Sequence, residues 1–347
     1  MDYFIVLLML IHIKKTWSVS NKDIYKKINE LVYCLLTLAF AFYYPFLIHL
    51  LGDGYSGLIL NTAVDDFILL GNIFIVGEVC IIFLWAISAK IRTYKNPDLL
   101  KTTNNYELFR HNFLENYSRK NELKRKCYHT LPFTVVGLIP LIFYLFFSKM
   151  GEIWISYAIF FIVIVGVDFA FTFIIGDVVR LLDFSYMPPN AAKLFKAAMT
   201  DEELDTFTST SVLVFGFGPF IFFNFTIFFI IVLISAIADA FASITGLLAS
   251  KHSHIFPKGT TKTLEGYLGG IIVTFLCTIF GAYYSRLLGL SSWPFESIIL
   301  IAIILSFTFF IIDLVTSKIK LQDNYINSLI IGSVLLITLL ILKIPIY

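Results

Sequence analysis

Apolar runs close to the thickness of a lipid bilayer recur along this chain and restrict it to one kind of fold. A helix needs about 20 apolar residues to cross the hydrocarbon core. Runs that reach or approach that length occupy residues 3–13, 31–51, 66–89, 130–148, 153–176, 209–223, 225–248, 266–288, 296–316 and 326–345. Lipid offers the backbone no hydrogen-bonding partner, so each crossing segment must satisfy its own N–H and C=O groups as a helix. The expected fold is an all-α polytopic transmembrane bundle of about ten helices. Composition agrees: 58% of residues are hydrophobic and 14% charged, against roughly 25% charged in soluble domains. The first run is short, with no basic region before it and no small-residue cleavage site, so it reads as a retained span rather than a cleaved signal peptide. A net charge of +2 provides no basic field of the kind that nucleic acid requires, and no nucleic-acid partner is expected. Cys34, Cys80, Cys127 and Cys277 have no metal-ligand spacing and read as small hydrophobes.

Loop charge sets the expected topology. With residues 14–30 on the cytoplasmic side, alternation places the basic segment 90–129 there too, together with Arg180, Lys193, Lys196, Lys251, Lys258, Lys262, Lys318 and Lys320. The opposite side keeps Lys149, Arg286 and Lys343. This is the asymmetry of the positive-inside rule. Residues 209–248 are interrupted by Gly216, Gly218, Pro219 and Asn224 and read either as two short spans or as one broken element. Counting them as one span would place basic clusters on both sides. In 104–123, Tyr106, Phe109, Phe113 and Tyr117 recur at helical steps, which predicts a helix lying in the membrane interface. Thr200 and Glu203 read as a capping box that starts the helix entering the sixth span. Residues 1–110 are expected to supply N-terminal spans and a basic cytoplasmic loop. Residues 111–347 are expected to form the domain that carries chemistry.

The chemistry-bearing residues gather at the cytoplasmic ends of the spans. Asp239 lies inside the seventh span, where a carboxylate costs about 2.5–3.5 kcal/mol on insertion scales. It reads as a magnesium ligand, or as an aspartate that faces a wet crevice or pairs with an arginine. The small residues Ala236, Ala240, Ser243 and Gly246 beside it leave room for a ligand or serve close helix packing. Lys251 and His252 follow, then Lys262, Thr263 and Glu265 where the next helix begins. Lysine and threonine at a helix N-terminus suit phosphate. Arg125, Lys126 and His129 precede the fourth span. The basic pair reads as a membrane anchor or a phosphate site, and His129 as a general base or a donor to phosphate. Asp177 and Arg180 are three apart at the end of the fifth span and read as an ion pair or as part of the site. Asp313, Asp323 and Asn324 complete the set. Glu78 and Asp168 lie mid-span without an evident partner.

In this order the residues resemble the polyprenol kinase family, which comprises dolichol kinase, phytol kinase and the CTP-dependent diacylglycerol kinase and is distantly related to phosphatidate cytidylyltransferase. Arg125-Lys126-x-x-His129, with Gly137 beyond it, is similar to that family's entry to a span. Asp177-x-x-Arg180 resembles its acidic-x-x-Arg element, and Glu203 with Thr208 to Gly216 its acidic, Ser/Thr-rich span entry. The longest match is Asp239-Ala240-x-Ala242-Ser243-Ile244-x-Gly246, then Lys251-His252, then Lys262-Thr263-x-Glu265-Gly266. Asp313 followed by Asp323-Asn324 resembles the closing element. The chain departs from the pattern with Ala238 in place of a glycine, Tyr267 in place of a serine, and Ile326-Asn327-Ser328 where a proline is usual. These departures bear on the lipid substrate more than on the nucleotide chemistry.

The resemblance implies transfer of the γ-phosphoryl group of CTP to the hydroxyl of a membrane isoprenoid alcohol of dolichol or polyprenol type. It implies a plasma or endoplasmic reticulum membrane, with the active site facing the cytoplasm. On that reading Asp239, His129 and Asp177 are catalytic, and Mg²⁺ is held by Asp239 and Asp323. Arg125, Lys126, Lys251, Lys262, Thr263, Glu265 and Asn324 contact the nucleotide. Two alternatives stand beside it: CDP-lipid synthesis of the phosphatidate cytidylyltransferase kind, and a polytopic transporter, for which the mid-span Glu78 and Asp168 argue.

Overall fold

Each of the ten apolar runs coincides with helix over most of its length in the computed structural model, which describes residues 2–17, 24–52, 63–151, 153–249, 254–258, 260, 262–319 and 322–345. Fourteen α-helices follow one another among these residues. They are α1 (Asp2–Trp17), α2 (Ile24–Gly52), α3 (Ala63–Lys95), α4 (Tyr106–Asn116), α5 (Arg119–Tyr128), α6 (Leu131–Phe147), α7 (Ile153–Leu182), α8 (Pro189–Ala198), α9 (Ser209–Phe217), α10 (Phe225–Leu233), α11 (Asp239–Leu248), α12 (Leu264–Leu287), α13 (Phe295–Ile319) and α14 (Asp323–Ile341). Among the described residues, seven helical segments are long and apolar enough to cross a membrane, and Ser209–Phe222 is an apolar helix too short to do so alone. The chain is an all-α integral membrane protein.

The chain divides into two units. Unit 1 comprises Met1–Phe46, Asp65–Arg125 and Val163–Val212. A cluster of buried side chains holds part of it together: Phe109 and Phe113 from α4, Phe173 from α7, Phe195 from α8, and Phe184, Met187, Met199 and Leu204 from the connections. Asn105 starts α4 by accepting a hydrogen bond from Leu108 N (3.0 Å), and Phe109 and Phe113, four apart, share one face. The sequence places this helix in the membrane interface. Its aromatic face instead packs against protein, because α7 and α8 supply apolar partners that no local pattern reveals.

The Thr200–Glu203 box forms, with Thr200 N donating to Glu203 Oε2 (2.9 Å). It caps the short 3-10 turn Asp201–Glu203 and not the spanning helix. The other oxygen of Glu203 accepts from Ser209 N (2.9 Å), the first residue of α9, so one carboxylate serves both starts.

Unit 2 comprises Leu47–Val64, Lys126–Ile162 and Leu213–Tyr347. At its centre is α10, in which every residue from Phe225 to Leu233 is buried. Asn224 caps it, accepting from Ile227 N (2.9 Å), and this cap breaks the 209–248 stretch into two helices. A π-turn over Ile234–Ala238 joins α10 to α11. Such turns widen a helix by one residue and re-aim the side chains that follow; here the next residue is Asp239.

Helices α11 and α12 meet through glycine. A Cβ on Gly246 would lie 2.9 Å from Thr263 Oγ1, and one on Gly266 would lie 2.8 Å from Ala242 O. Ala236 and Ala240 are fully buried. These small residues serve close packing of α11 against its neighbours. Gly266→Ala should therefore cost about 1–3 kcal/mol of stability, the range for overpacking, because the added methyl meets backbone that cannot swing away. Thermal unfolding of the detergent-solubilised protein checks this; an unchanged midpoint would show that the two helices separate freely.

Candidate functional site

The charged residues of unit 2 converge from five separate stretches of sequence. Lys126, near the end of α5, donates through Nζ to Asp239 Oδ2 at the start of α11 (2.8 Å), and both side chains are buried. The second oxygen, Asp239 Oδ1, is buried and has no hydrogen-bond partner. Lys262 donates to Asp313 Oδ1 near the end of α13 (2.6 Å) and to Asp323 Oδ2 at the start of α14 (3.2 Å). Burial disfavours the Lys262 charge, but the carboxylates of Asp323, Asp313 and Asp239 outweigh it and hold the ammonium above the ordinary lysine pKa. Lys262 therefore stays charged across the physiological range. His129 lies one turn beyond Lys126, is buried, and acts electrostatically on Asp239.

The loop carrying Lys262 is tied at its neck. Phe256 N donates to Lys262 O (3.0 Å) and Leu264 N to His254 O (2.9 Å), and Ile255 and Thr263 form an antiparallel bridge. Glu265 accepts from His254 N (3.2 Å) and pairs with His254 Nδ1 (2.8 Å). Glu265 thus orders the loop from its outer edge. Thr263 caps α12, its hydroxyl accepting from Gly266 N (3.1 Å), an arrangement worth about 1 kcal/mol. Asn324 is buried in the first turn of α14.

Unit 2 therefore brings together Lys126, Asp239, Lys262, Asp313 and Asp323 from the sequence-derived set, with His129 and Thr263 adjoining them in sequence; Glu265 pairs with His254, and Asn324 follows Asp323 on α14. Lys251 and His252 lie outside the described residues. Arg125 and Asp177 belong to unit 1. There Arg125 pairs with Glu122 (Nη2 to Oε1, 2.5 Å), which also accepts from the Tyr117 hydroxyl (2.5 Å).

Asp177 takes the structural side of its two readings. Its Oδ1 accepts from Arg180 Nη2 (2.7 Å) and Nε (3.1 Å). Its Oδ2 accepts from Thr208 N (2.7 Å) and Oγ1 (2.8 Å). With both oxygens so engaged, the side chain ties the 203–208 connection to α7. Glu78 and Asp168 also lie in unit 1, and Thr172 donates to Glu78 Oε1 (2.7 Å). A cleft of about 460 Å³ in unit 1, lined by Trp85, Ser88, Arg92, Pro188, Pro189 and Asn190, contains none of the sequence-derived residues.

Two features escape sequence reasoning. Ser235, inside the π-turn, shares a hydrogen bond with Ser328 of α14 (2.8 Å), which locks the turn that aims Asp239. Asn327 is buried and its Oδ1 has no hydrogen-bond partner. The signal for both is the run of polar side chains in the first turns of α14, where a lipid-facing helix needs none.

No family model, curated protein or solved structure matches this chain.

The chemistry open to the site follows from its charges. Three carboxyl groups face two ammonium groups, so acidic side chains outnumber the lysines that pair with them. Among the described residues, no three His, Cys, Asp or Glu side chains are placed to hold a metal by themselves. A magnesium site normally uses one or two carboxylates and completes its shell with water and substrate phosphates. The unpartnered Asp239 Oδ1 fits that kind of site.

Proposed function

We propose that this protein is a CTP-dependent lipid kinase that transfers the γ-phosphoryl group to the hydroxyl of a membrane isoprenoid alcohol at the cytoplasmic face. The observation that carries the reading is the convergence of Lys126, Asp239, Lys262, Asp313 and Asp323 in unit 2 at the ends of apolar helices. A bundle folds without such a set, and each buried charge costs several kcal/mol before pairing. The ordered motif resemblance supplies CTP and the alcohol class. The bias of basic residues toward one set of loops in the sequence supports a cytoplasmic side for the site.

In the proposed reaction the alcohol oxygen forms a bond to the γ-phosphorus, the bond from that phosphorus to the β,γ-bridging oxygen breaks, and CDP leaves. His129 accepts the hydroxyl proton. Lys126 and Lys262 turn from their carboxylates toward phosphate oxygens, where charge is spread in the transition state. Glu265 and Asn324 order the nucleotide end of the site. Mg²⁺, held by Asp239 with Asp323, would neutralise the triphosphate and orient it. The alcohol's tail stays in lipid throughout, which is why the enzyme is built into the bilayer.

The excess of acidic side chains over lysines gives a prediction. Without a divalent cation the cluster repels a triphosphate, so CTP should bind at least tenfold more weakly in chelator than with Mg²⁺. Equilibrium binding of labelled CTP measures this; equal affinity in both conditions contradicts the metal assignment. The position of the label separates the reading from its nearest rival. A kinase releases CDP and leaves the γ-label on lipid, whereas a cytidylyltransferase releases pyrophosphate and leaves the α-label on lipid.

A transporter reading draws on the mid-span carboxyls Glu78 and Asp168. It requires those two carboxyls for activity and leaves Asp239 dispensable, so substituting each in turn decides between them.

A further inference from the structure

Asn327 lies four residues after Asp323 and three after Asn324 on α14, so the three project from one side of the helix. Asp323 reaches Lys262, which fixes that side as the one bordering the charged cluster. Four helical residues advance roughly 6 Å, so Asn327 stands one turn further from the charged end and closer to the apolar body of α14. It is only 2% exposed, and its amide oxygen has no hydrogen-bond partner. The next residue, Ser328, is locked to Ser235 in the π-turn, one turn before Asp239. A buried carbonyl left unpaired is penalised, and a leucine of similar volume would avoid the penalty. Asn327 also falls where the chain departs from the family pattern.

We propose that Asn327 binds the lipid alcohol directly, its Oδ1 accepting the hydrogen bond of the substrate hydroxyl. This rests on the kinase reading and assigns the acceptor half of that site. A hydroxyl arriving from the bilayer meets Asn327 before the charges. Held there by its own proton before transfer, it keeps its oxygen lone pairs free to face the phosphoryl group at the cluster, and that proton passes to His129 as the O–P bond forms. A primary alcohol on an apolar chain satisfies this position; an aldehyde or hydrocarbon of the same length, with no hydrogen to donate, does not.

The test is steady-state kinetics on the full-length protein in lipid nanodiscs, with a C55 polyprenol as the variable substrate. Asn327→Leu should raise the KM for the polyprenol at least tenfold, leave the KM for CTP within twofold, and leave the unfolding temperature equal or higher. If Asn327→Leu does not fold, Asn327→Ala must show the same split. A polyprenol KM within twofold of wild type in the folded variant overturns the assignment and marks the site as one for a buried water. If wild type transfers no label to any alcohol, the kinase reading falls and takes this inference with it. An active wild type with an indifferent Asn327 variant removes only the inference.

Discussion

Asp239→Asn should abolish phosphoryl transfer, lowering turnover by at least about a thousandfold, or ~4 kcal/mol of barrier, while the protein still folds. The substitution keeps the shape of the side chain and an oxygen for Lys126, whose ammonium sits 2.8 Å away. What it removes is the negative charge that the proposed metal–nucleotide complex needs, from a carboxylate whose other oxygen is buried and unpartnered. Breaking a buried ion pair by neutralising one member leaves the other uncompensated and costs about 3–5 kcal/mol in severe cases. The double variant Lys126→Gln/Asp239→Asn controls for this, since it replaces the ion pair by a neutral hydrogen-bonded pair. The double variant should recover wild-type thermal stability and stay inactive. Full turnover in a folded Asp239→Asn protein removes Asp239 from the reaction.

Arg180→Ala should be the most destabilising single change in unit 1, at roughly 3–5 kcal/mol. The guanidinium is fully buried. Besides Asp177 it serves the carbonyls of Leu204, Glu203 (3.2 Å) and Thr206 (2.5 Å), so one side chain reaches three carbonyls of the connection between α8 and α9. Truncation takes this donor from the Thr206 carbonyl and leaves Asp177 without its countercharge, while Leu204 O keeps the Tyr106 hydroxyl and Glu203 O keeps Thr206 N. Arg180→Lys should rescue little, because a single ammonium cannot span the fork of acceptors that a planar guanidinium reaches. The companion double variant Asp177→Leu/Arg180→Met should recover more than half of the loss, since removing both charges removes the desolvation penalty with them. Limited proteolysis within 199–208, alongside thermal unfolding, reads the effect. A wild-type cleavage rate in Arg180→Ala would show that the knot does not hold the segment.

The helices were legible because apolar run length is a strong local signal: every run lies on helix, and Asn224 marks the break between α9 and α10. Local patterns misled where the partner was distant in sequence. The aromatic stripe of α4 marked a helix correctly but could not say that Phe173, Phe184 and Phe195 would cover it. Thr200 and Glu203 formed their box, yet the helix they cap is a single turn, because Glu203 also serves Ser209.

At the site, the residue types were readable and their pairing was not. Lys262 was legible as a cation beside a helix start, but Asp313 and Asp323 come from 51 and 61 residues away. Asp177 and Arg180 were readable as an ion pair from their spacing, and the saturation of Asp177 by Thr208 was not. The π-turn ahead of Asp239 has no sequence signature here, since Ile234–Ala238 reads as ordinary apolar helix.

Transfer of radiolabel to lipid is the most direct test of the central claim. The purified protein in nanodiscs is given γ-labelled CTP, Mg²⁺ and, separately, dolichol, shorter polyprenols, phytol and diacylglycerol. The account predicts a labelled lipid monophosphate with one equivalent of CDP, formed with an isoprenoid alcohol and absent from the Asp239→Asn protein. Label remaining wholly in the aqueous phase for every alcohol, or appearing as pyrophosphate, would contradict it.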